Sequence, residues 1–380
     1  MTRTIAAGRT VPCNRCGAPL PLLAAWPWCE CGGTPTVPLP RLAPPRADRQ
    51  GLWRWARAFP LPDGTGPVTL GEGRVPVESL ALPGLPDGVL ALREDLEPTG
   101  SWKDRGSSVL VTAMRAAGVR EAVEDSSGNA ALSLARYARE AGIHLRTFVP
   151  AGATRVKKEL IAAAGAEVVE VDGPRRAATA AAREAAARGA FWASHAAQPL
   201  HALGAATAAL DLAEVLPRER PGTVIVPVGQ GGLLAGLRAG FEALVREGRL
   251  HRLPRLVGVQ SAACAPVRAA WERANGRVPC GPGLAEGVLV ERPARIPEAL
   301  AAARASGGTI GTVDDLALER ALRLLWREGR RVEPTAALPV AWLLAGGARE
   351  LAAGGAAGPV IVVLTGHGVR AGRSLVRDLT

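Results

Sequence analysis

Thr223-Val224-Ile225-Val226-Pro227-Val228-Gly229-Gln230-Gly231-Gly232-Leu233 reads as a strand that breaks into a glycine turn and then opens a helix. The first six residues are β-branched apart from one proline and show no polar alternation, which suits a strand covered on both faces in a parallel sheet. Glycines let the backbone approach a ligand closely, and the N-terminus of the following helix favours negative charge. The turn therefore predicts a phosphate cradle. It lacks G-x-x-x-x-G-K-[ST] and the full G-x-G-x-x-G fingerprint, so a P-loop nucleotide site is excluded.

The same alternation recurs along the chain. Residues 143–150 (IHLRTFVP), 166–172 (AEVVEVD), 255–260 (RLVGVQ) and 359–365 (PVIVVLT) are further strand candidates. Helices are expected near 104–117, 129–141, 154–164, 175–189, 203–216, 233–247, 315–328 and 335–352. Strands alternating with helices predict an α/β fold of two layered domains with parallel sheets. At about 150 residues per domain, the 380 residues allow two to three domains and a large core. Apolar residues make up 48% and charged residues 21%, which excludes global disorder.

Four of the six cysteines fall early, as Cys13-x-x-Cys16 and Cys29-x-Cys31. Two such knuckles, with Gly17, Gly32 and Gly33 for the tight turns, bring four thiolates to a tetrahedral zinc. A small N-terminal zinc-ribbon-like segment is expected over 1–45, including a proline-rich linker (PTVPLPRLAPPR), with the catalytic region over 46–380. Two disulfides and a ribbon without metal are the alternatives. Cys264 and Cys280 read as isolated structural residues. No apolar run reaches about 18 residues, and the start, MTRTIAAGRTVPCNRC, lacks a signal-peptide pattern, so a cytoplasmic location and no membrane partner are expected.

Basic side chains number 46 against 35 acidic, for a formal net charge of +11. Clustered basic residues would suit nucleic acid, but most of these are spread along alanine-rich helices as solvated faces, and no nucleic-acid partner is expected. One local basic stretch stands out: Arg41, Arg46, Arg49, Arg54 and Arg57, beside Trp53 and Trp55. Only three of the 46 are lysines, Lys103, Lys157 and Lys158. Arginine replaces lysine wherever a fixed charge suffices but does not become a nucleophilic amine, so a surviving lysine points to Schiff-base chemistry.

Lys103 lies in Glu97-Pro98-Thr99-Gly100-Ser101-Trp102-Lys103-Asp104-Arg105-Gly106, a turn that opens a helix. Asp125-Ser126-Ser127-Gly128-Asn129-Ala130-Ala131 opens another and has the hydroxyls and amides of a carboxylate site. Leu364-Thr365-Gly366-His367-Gly368 leaves the last strand and offers a hydroxyl. His367 reads as structural. Lys157 and Lys158, adjacent on a helix, read as surface charges.

PTGSWKDRG, SSGNAALSLA, PVGQGG and LTGHG, in this order, with LGEGRVP at 70–76 and EPTAA at 333–337, resemble the threonine synthase branch of the fold type II pyridoxal-phosphate enzymes. The similarity spans roughly residues 68–368, and some members carry a similar N-terminal cysteine ribbon. The resemblance implies that Lys103 holds the cofactor covalently and later shuttles protons, and that Asn129 bonds the pyridine 3-hydroxyl. It also implies that Gly229, Gln230, Gly231, Gly232 and Leu233 hold the cofactor phosphate and Thr365 the ring nitrogen. Ser101, Ser126, Ser127 and Ala130 then serve the substrate. The family segment N-P-[FY]-R-x-x-G is here Gln198-Pro199-Leu200-His201-Ala202-Leu203-Gly204, so His201 stands in place of the arginine that holds a substrate phosphate. The implied reaction converts O-phospho-L-homoserine and water to threonine and phosphate. Alternatives are elimination or β-replacement on serine, threonine or a related amino acid, and, from another class, a noncatalytic zinc-ribbon binding protein. A homodimer is implied, with residues about 100–210 as a smaller mobile domain.

Overall fold

The computed structural model describes residues 9–274, 278–355 and 357–368; the first eight residues of the chain and those after 368 lie outside them. Two compact units result. One, the lysine unit, contains the described residues through Gly73 and Lys103–Thr207; the other, the cradle unit, contains Arg74–Trp102 and the described residues from Ala208 onward.

The lysine unit carries a four-stranded parallel sheet in the order β7-β6-β5-β8, formed by β5 (Glu121–Glu124), β6 (His144–Pro150), β7 (Glu167–Val171) and β8 (Phe191–Trp192). Its helices are α1 (Lys103–Ala116), α2 (Asn129–Glu140), α3 (Arg155–Ala164), α4 (Arg175–Ala187) and the first part of α5 (Pro199–Leu212). The cradle unit carries six strands in the order β11-β10-β9-β12-β4-β3, namely β3 (Val77–Ser79), β4 (Val89–Leu92), β9 (Thr223–Pro227), β10 (Arg255–Ser261), β11 (Ile310–Val313) and β12 (Val360–Val363). All pair in parallel except β3 with β4. Around them lie α6 (Gly232–Arg246), α7 (Pro266–Trp271), α8 (Ile296–Ala305), α9 (Asp315–Arg327), α10 (Pro334–Trp342) and α11 (Ala348–Ala353). The α/β class with parallel sheets is the one expected.

The long apolar runs became strands, as β9 shows by being buried at every residue. The short strands β4, β5, β8 and β11 were not anticipated, because four residues or fewer carry too little periodicity to separate from a loop. Helix α5 begins at Pro199, four residues before its expected start, since proline suits the first helical turn, where its missing N–H is no loss. The helix expected over 335–352 is broken by a π-turn at Leu343–Gly347, with Gly346 at φ 123°. A side chain on Gly347 would meet the Trp342 ring at 2.4 Å, so this turn is required by packing.

A small antiparallel hairpin, β1 (Thr10–Pro12) and β2 (Pro19–Pro21), precedes the lysine unit's main sheet. The segment after it is held to β8: Trp192 N–H donates to Ala25 O, and buried Gln198 donates to both Ala24 O and Trp192 O at 2.7 and 2.8 Å. Trp26 and Trp28 add ring contacts to Trp192 at 5.5 and 6.0 Å. Cys264 and Cys280 are not isolated, contrary to the reading from spacing. They form a disulfide across 16 residues, a pairing that chain folding alone creates.

Helices α1 and α5 approach without a side chain between them. A Cβ on Gly204 would lie 2.1 Å from Arg105 O, and one on Gly106 would lie 2.5 Å from the His201 ring. Gly204→Ala is therefore expected to destabilise the fold by about 1–3 kcal/mol, as overpacking does, measured by urea unfolding. An unchanged midpoint would show that the contact yields.

Candidate active site

In the lysine unit, the first turns after Lys103 are tied down. Asp104 is fully buried and accepts from Ser133 Oγ of α2 at 2.6 Å, and Ser133 also reaches Ser107 at 2.8 Å. Buried Arg105 donates to Thr207 Oγ1 of α5 at 3.0 Å. One turn on, Ser108 receives the Trp53 indole N–H at 2.8 Å and donates to Val68 O at 2.6 Å. Glu72, in the LGEGRVP stretch, is a buried hub that accepts from Trp53, Leu70 N and the Tyr137 hydroxyl. A lysine on so constrained a helix has little orientational freedom of its backbone, which is what a positioned nucleophile requires.

Ser126, Ser127, Asn129 and Ala130 follow β5 directly, at its C-terminal end. The N-cap of α2 is Gly128, which offers no side chain to the first-turn amides, and its own N–H is taken by Ser126 Oγ at 3.2 Å. His201 is buried against Gly106 rather than presented at the surface. Its ring stands edge-on to His195 at 6.1 Å between centroids.

Sequence reading missed Glu124 and His195. Glu124 ends β5 and His195 follows β8, two strands too short to recognise, so nothing in the sequence showed that they share one sheet end. His195 Nδ1 lies 2.8 Å from Glu124 Oε1, and its backbone N–H donates to the other carboxylate oxygen at 3.3 Å. Burial, reinforced by neighbouring Asp125, pushes the Glu124 carboxyl well above the usual carboxylate range. Burial first, then the positive charge of Lys103, lowers His195 to about 3. Burial thus favours the state in which the pair holds one titratable proton, on Glu124, and no net charge. Asp125 accepts from Thr179 Oγ1 of α4 at 2.7 Å.

In the cradle unit, Gly229–Leu233 follow β9 and Leu364–Gly368 follow β12, again at C-terminal strand ends, where α/β folds bind ligands. Gly231 has φ 90°, and a Cβ there would lie 3.0 Å from Arg295 O; one on Gly229 would lie 3.2 Å from Gly287 O. Gly232 is buried, and a Cβ there would make only an ordinary contact, with the Trp102 ring at 3.9 Å. The Gln230 side chain is committed elsewhere, its Oε1 accepting from Ala294 N at 2.9 Å. Ser101 bridges Gly366, Trp102 N–H donates to Thr365 O at 3.2 Å, and Glu333 of EPTAA donates its N–H to Gly366 O at 2.9 Å. The buried hydroxyls of Ser101 and Thr365 have no hydrogen-bond partner among the described residues. Two such orphans in one place mark a site made for a polar ligand, since an unmade buried hydrogen bond is costly. The chain passes from Trp102 of this unit straight into Lys103 of the other.

Residues 68–366 match the family model described as pyridoxal-phosphate dependent enzyme. The chain belongs to that family. A threonine synthase of Methanocaldococcus jannaschii is 28% identical over 377 residues, covering 94% of this chain and 92% of that protein. One from a Synechocystis species is 31% identical over 337 residues, covering 84% and 83%. Among solved structures, a threonine deaminase from T.th. is 30% identical with a TM-score of 0.61, covering 74% of this chain and 87% of that one. Maize serine racemase, 21% identical with a TM-score of 0.65, covers 80% and 92% and shares the fold. This chain is a pyridoxal-phosphate-dependent lyase of the threonine synthase-like group with the fold type II architecture, and its cofactor is pyridoxal phosphate. The cradle glycines and the orphaned hydroxyls fit a phosphorylated, heteroaromatic ligand.

In the ribbon, the four sulfurs of Cys13, Cys16, Cys29 and Cys31 all lie within 4.8 Å of one another. Gly17 and Gly32 take positive φ as the knuckles require, and a Cβ on Gly33 would lie 2.4 Å from Cys13 Sγ.

The Glu124–His195 pair has a distinctive pH signature. Between about pH 4.5 and 6.5 the unfolded chain also binds one proton across these two groups, so their contribution is flat there. Below about 4.5 the unfolded chain binds more, and above 6.5 it binds fewer, so stability falls on the acid side and again on the alkaline side. Thermal unfolding against pH is expected to lose the alkaline limb in Glu124→Gln, a difference approaching about 1 kcal/mol per pH unit. Parallel curves for the two proteins would refute the neutral pair.

Proposed function

We propose that the enzyme converts O-phospho-L-homoserine and water to L-threonine and phosphate. What carries this reading is the match to threonine synthases across most of the chain, 28–31% identical over 84–94% of it in the two described above. When bound, pyridoxal phosphate supplies an electron sink for negative charge at the substrate Cα. Lys103 is assigned as the residue that holds the cofactor covalently. Backbone amides of Gly229, Gln230, Gly231, Gly232 and Leu233 are assigned to the cofactor phosphate, Thr365 Oγ1 to the ring nitrogen and Asn129 to the 3-hydroxyl. A hydroxyl at the ring nitrogen does not enforce full protonation as a carboxylate would, which favours α-proton removal followed by elimination or replacement.

Ser126, Ser127 and Ala130 are assigned to the substrate carboxylate at the amide-rich start of α2, and Ser101 to the substrate as well. Once the substrate amine displaces it, Lys103 Nζ would take the proton from Cα and then assist removal of one from Cβ. Phosphate leaves Cγ, protons are returned to Cγ and Cα, and water supplies the hydroxyl at Cβ. Residues about 100–210 are assigned as the smaller, mobile domain of the catalytic region 46–380. The reading further includes a homodimer in the cytoplasm with no nucleic-acid partner, and a structural zinc on Cys13, Cys16, Cys29 and Cys31.

One observation favours a second reading, elimination or β-replacement on serine, threonine or a related amino acid. His201 occupies the position of the family's phosphate-holding arginine and is buried, and an imidazole lacks the fixed charge and two-pronged donor fork of a guanidinium.

The purified enzyme is expected to show a visible absorbance band that Lys103→Ala abolishes, with a fall in turnover of at least about a thousandfold. Phosphate release from O-phosphohomoserine, run beside a keto-acid assay with serine and threonine, separates the two readings: keto acid alone rejects the first. A colourless protein that cannot be reconstituted with cofactor would return the chain to a noncatalytic role. Elemental analysis should find about one zinc per chain, lost in Cys13→Ser; absence of metal from the parent protein rejects the zinc assignment.

A further inference from the structure

The arginine stretch singled out in the sequence is left unused by the catalytic assignments. In the fold four of its five members share one cavity wall, while Arg54 is buried over the Trp55 ring at 4.8 Å. Arg41, Arg46, Arg49 and Arg57 line one cavity of about 830 Å³ in the lysine unit, joined by Arg9. The lining shares no residue with the loops that carry Lys103, Asn129 or His201. Among the described residues, Asp63 is the one carboxylate on its wall, and Trp53 and Phe59, ring to ring at 5.2 Å, give it an apolar side.

Asp48 offsets part of the charge, pairing with Arg46 at 2.6 Å and lying 3.9 Å from Arg49. Among the described residues, no carboxylate lies within ion-pair distance of Arg9, Arg41 or Arg57. Converging guanidinium groups repel one another, and the arrangement is compensated when an anion enters. Arginine forks match phosphate oxygens two at a time. The volume exceeds what a single phosphate fills and falls in the range of small-molecule sites. A concave wall with an aromatic side fits a compact ligand rather than an extended strand of nucleic acid, which needs a continuous charged track.

We propose that this cavity binds a small molecule carrying at least two linked phosphate groups, at a site separate from the catalytic lysine. Its wall is connected to the catalytic helix: the Trp53 indole N–H donates to Ser108 of α1 and to Glu72, at 2.8 and 3.1 Å. Arg115 of the same helix donates to Gly66 O beside the cavity. Occupancy therefore bears on elements that hold α1.

The test is calorimetric titration of the cofactor-loaded enzyme, whose own phosphate cradle is then filled, with inorganic pyrophosphate and separately with adenosine diphosphate. One saturable site per chain is expected. Arg41→Ala/Arg57→Ala should weaken binding about 10- to 100-fold, as loss of charge-assisted hydrogen bonds does. Arg320→Ala/Arg327→Ala, which removes the same charge from exposed positions on α9, should leave it unchanged. Tighter binding of adenosine diphosphate than of pyrophosphate would place the nucleoside on the Trp53 and Phe59 side, and equal affinity would confine recognition to the phosphates; both support the site. Absence of saturable binding, equal weakening by both double variants, or tighter binding of a short DNA duplex spanning several chains would overturn it.

Discussion

The catalytic half of the lysine unit depends on how closely α1 and α5 approach. Gly204 lies where any Cβ would strike the Arg105 carbonyl, and Gly106 lies where any Cβ would strike His201. Because the helices are this close at Gly204, Arg105 reaches Thr207, and Asp104 of α1 binds Ser133 of α2. Lys103 heads a helix gripped on both sides. The role proposed for it needs an amine at a set place, and the rigid packing of that helix fixes the point from which the side chain extends.

The cradle unit solves a different problem. It must leave polar groups available in a buried place, which proteins ordinarily avoid. The hydroxyls of Ser101 and Thr365 are held by backbone bridges around Gly366, and the glycine turn after β9 leaves little room for a Cβ at Gly229 or Gly231. Unmet hydrogen bonds and close-set backbone are thereby concentrated at strand ends. That concentration is what a cofactor site looks like before ligand atoms are considered.

Much of this was legible in the sequence. Long β-branched runs gave away β6, β7, β9, β10 and β12, and a single lysine in a glycine turn stood out because arginine is otherwise so dominant. The sulfurs of Cys13, Cys16, Cys29 and Cys31 also come together as their spacing implies. Strands of two to four residues left no periodic trace unless, like β12, they lay inside a longer apolar run, and with them went the sheet end that joins Glu124 to His195. Residues 71 apart meet there, in a pair whose shared proton follows from burial that no local pattern announces. The Cys264–Cys280 bridge was hidden for the same reason: spacing shows which residues are present, while pairing depends on where the chain returns.

By itself, the sequence determined the fold class, the family and the identity of the candidate nucleophile, because these depend on local periodicity and on residue types that chemistry does not let drift. Only the tertiary structure decided the environment of those residues. It buried His201 against a glycine one turn beyond Lys103, committed Gln230 to a neighbouring loop, and gathered scattered arginines around one cavity. Each of these outcomes rests on contacts between segments far apart in the chain, where burial and proximity, not composition, decide charge and access.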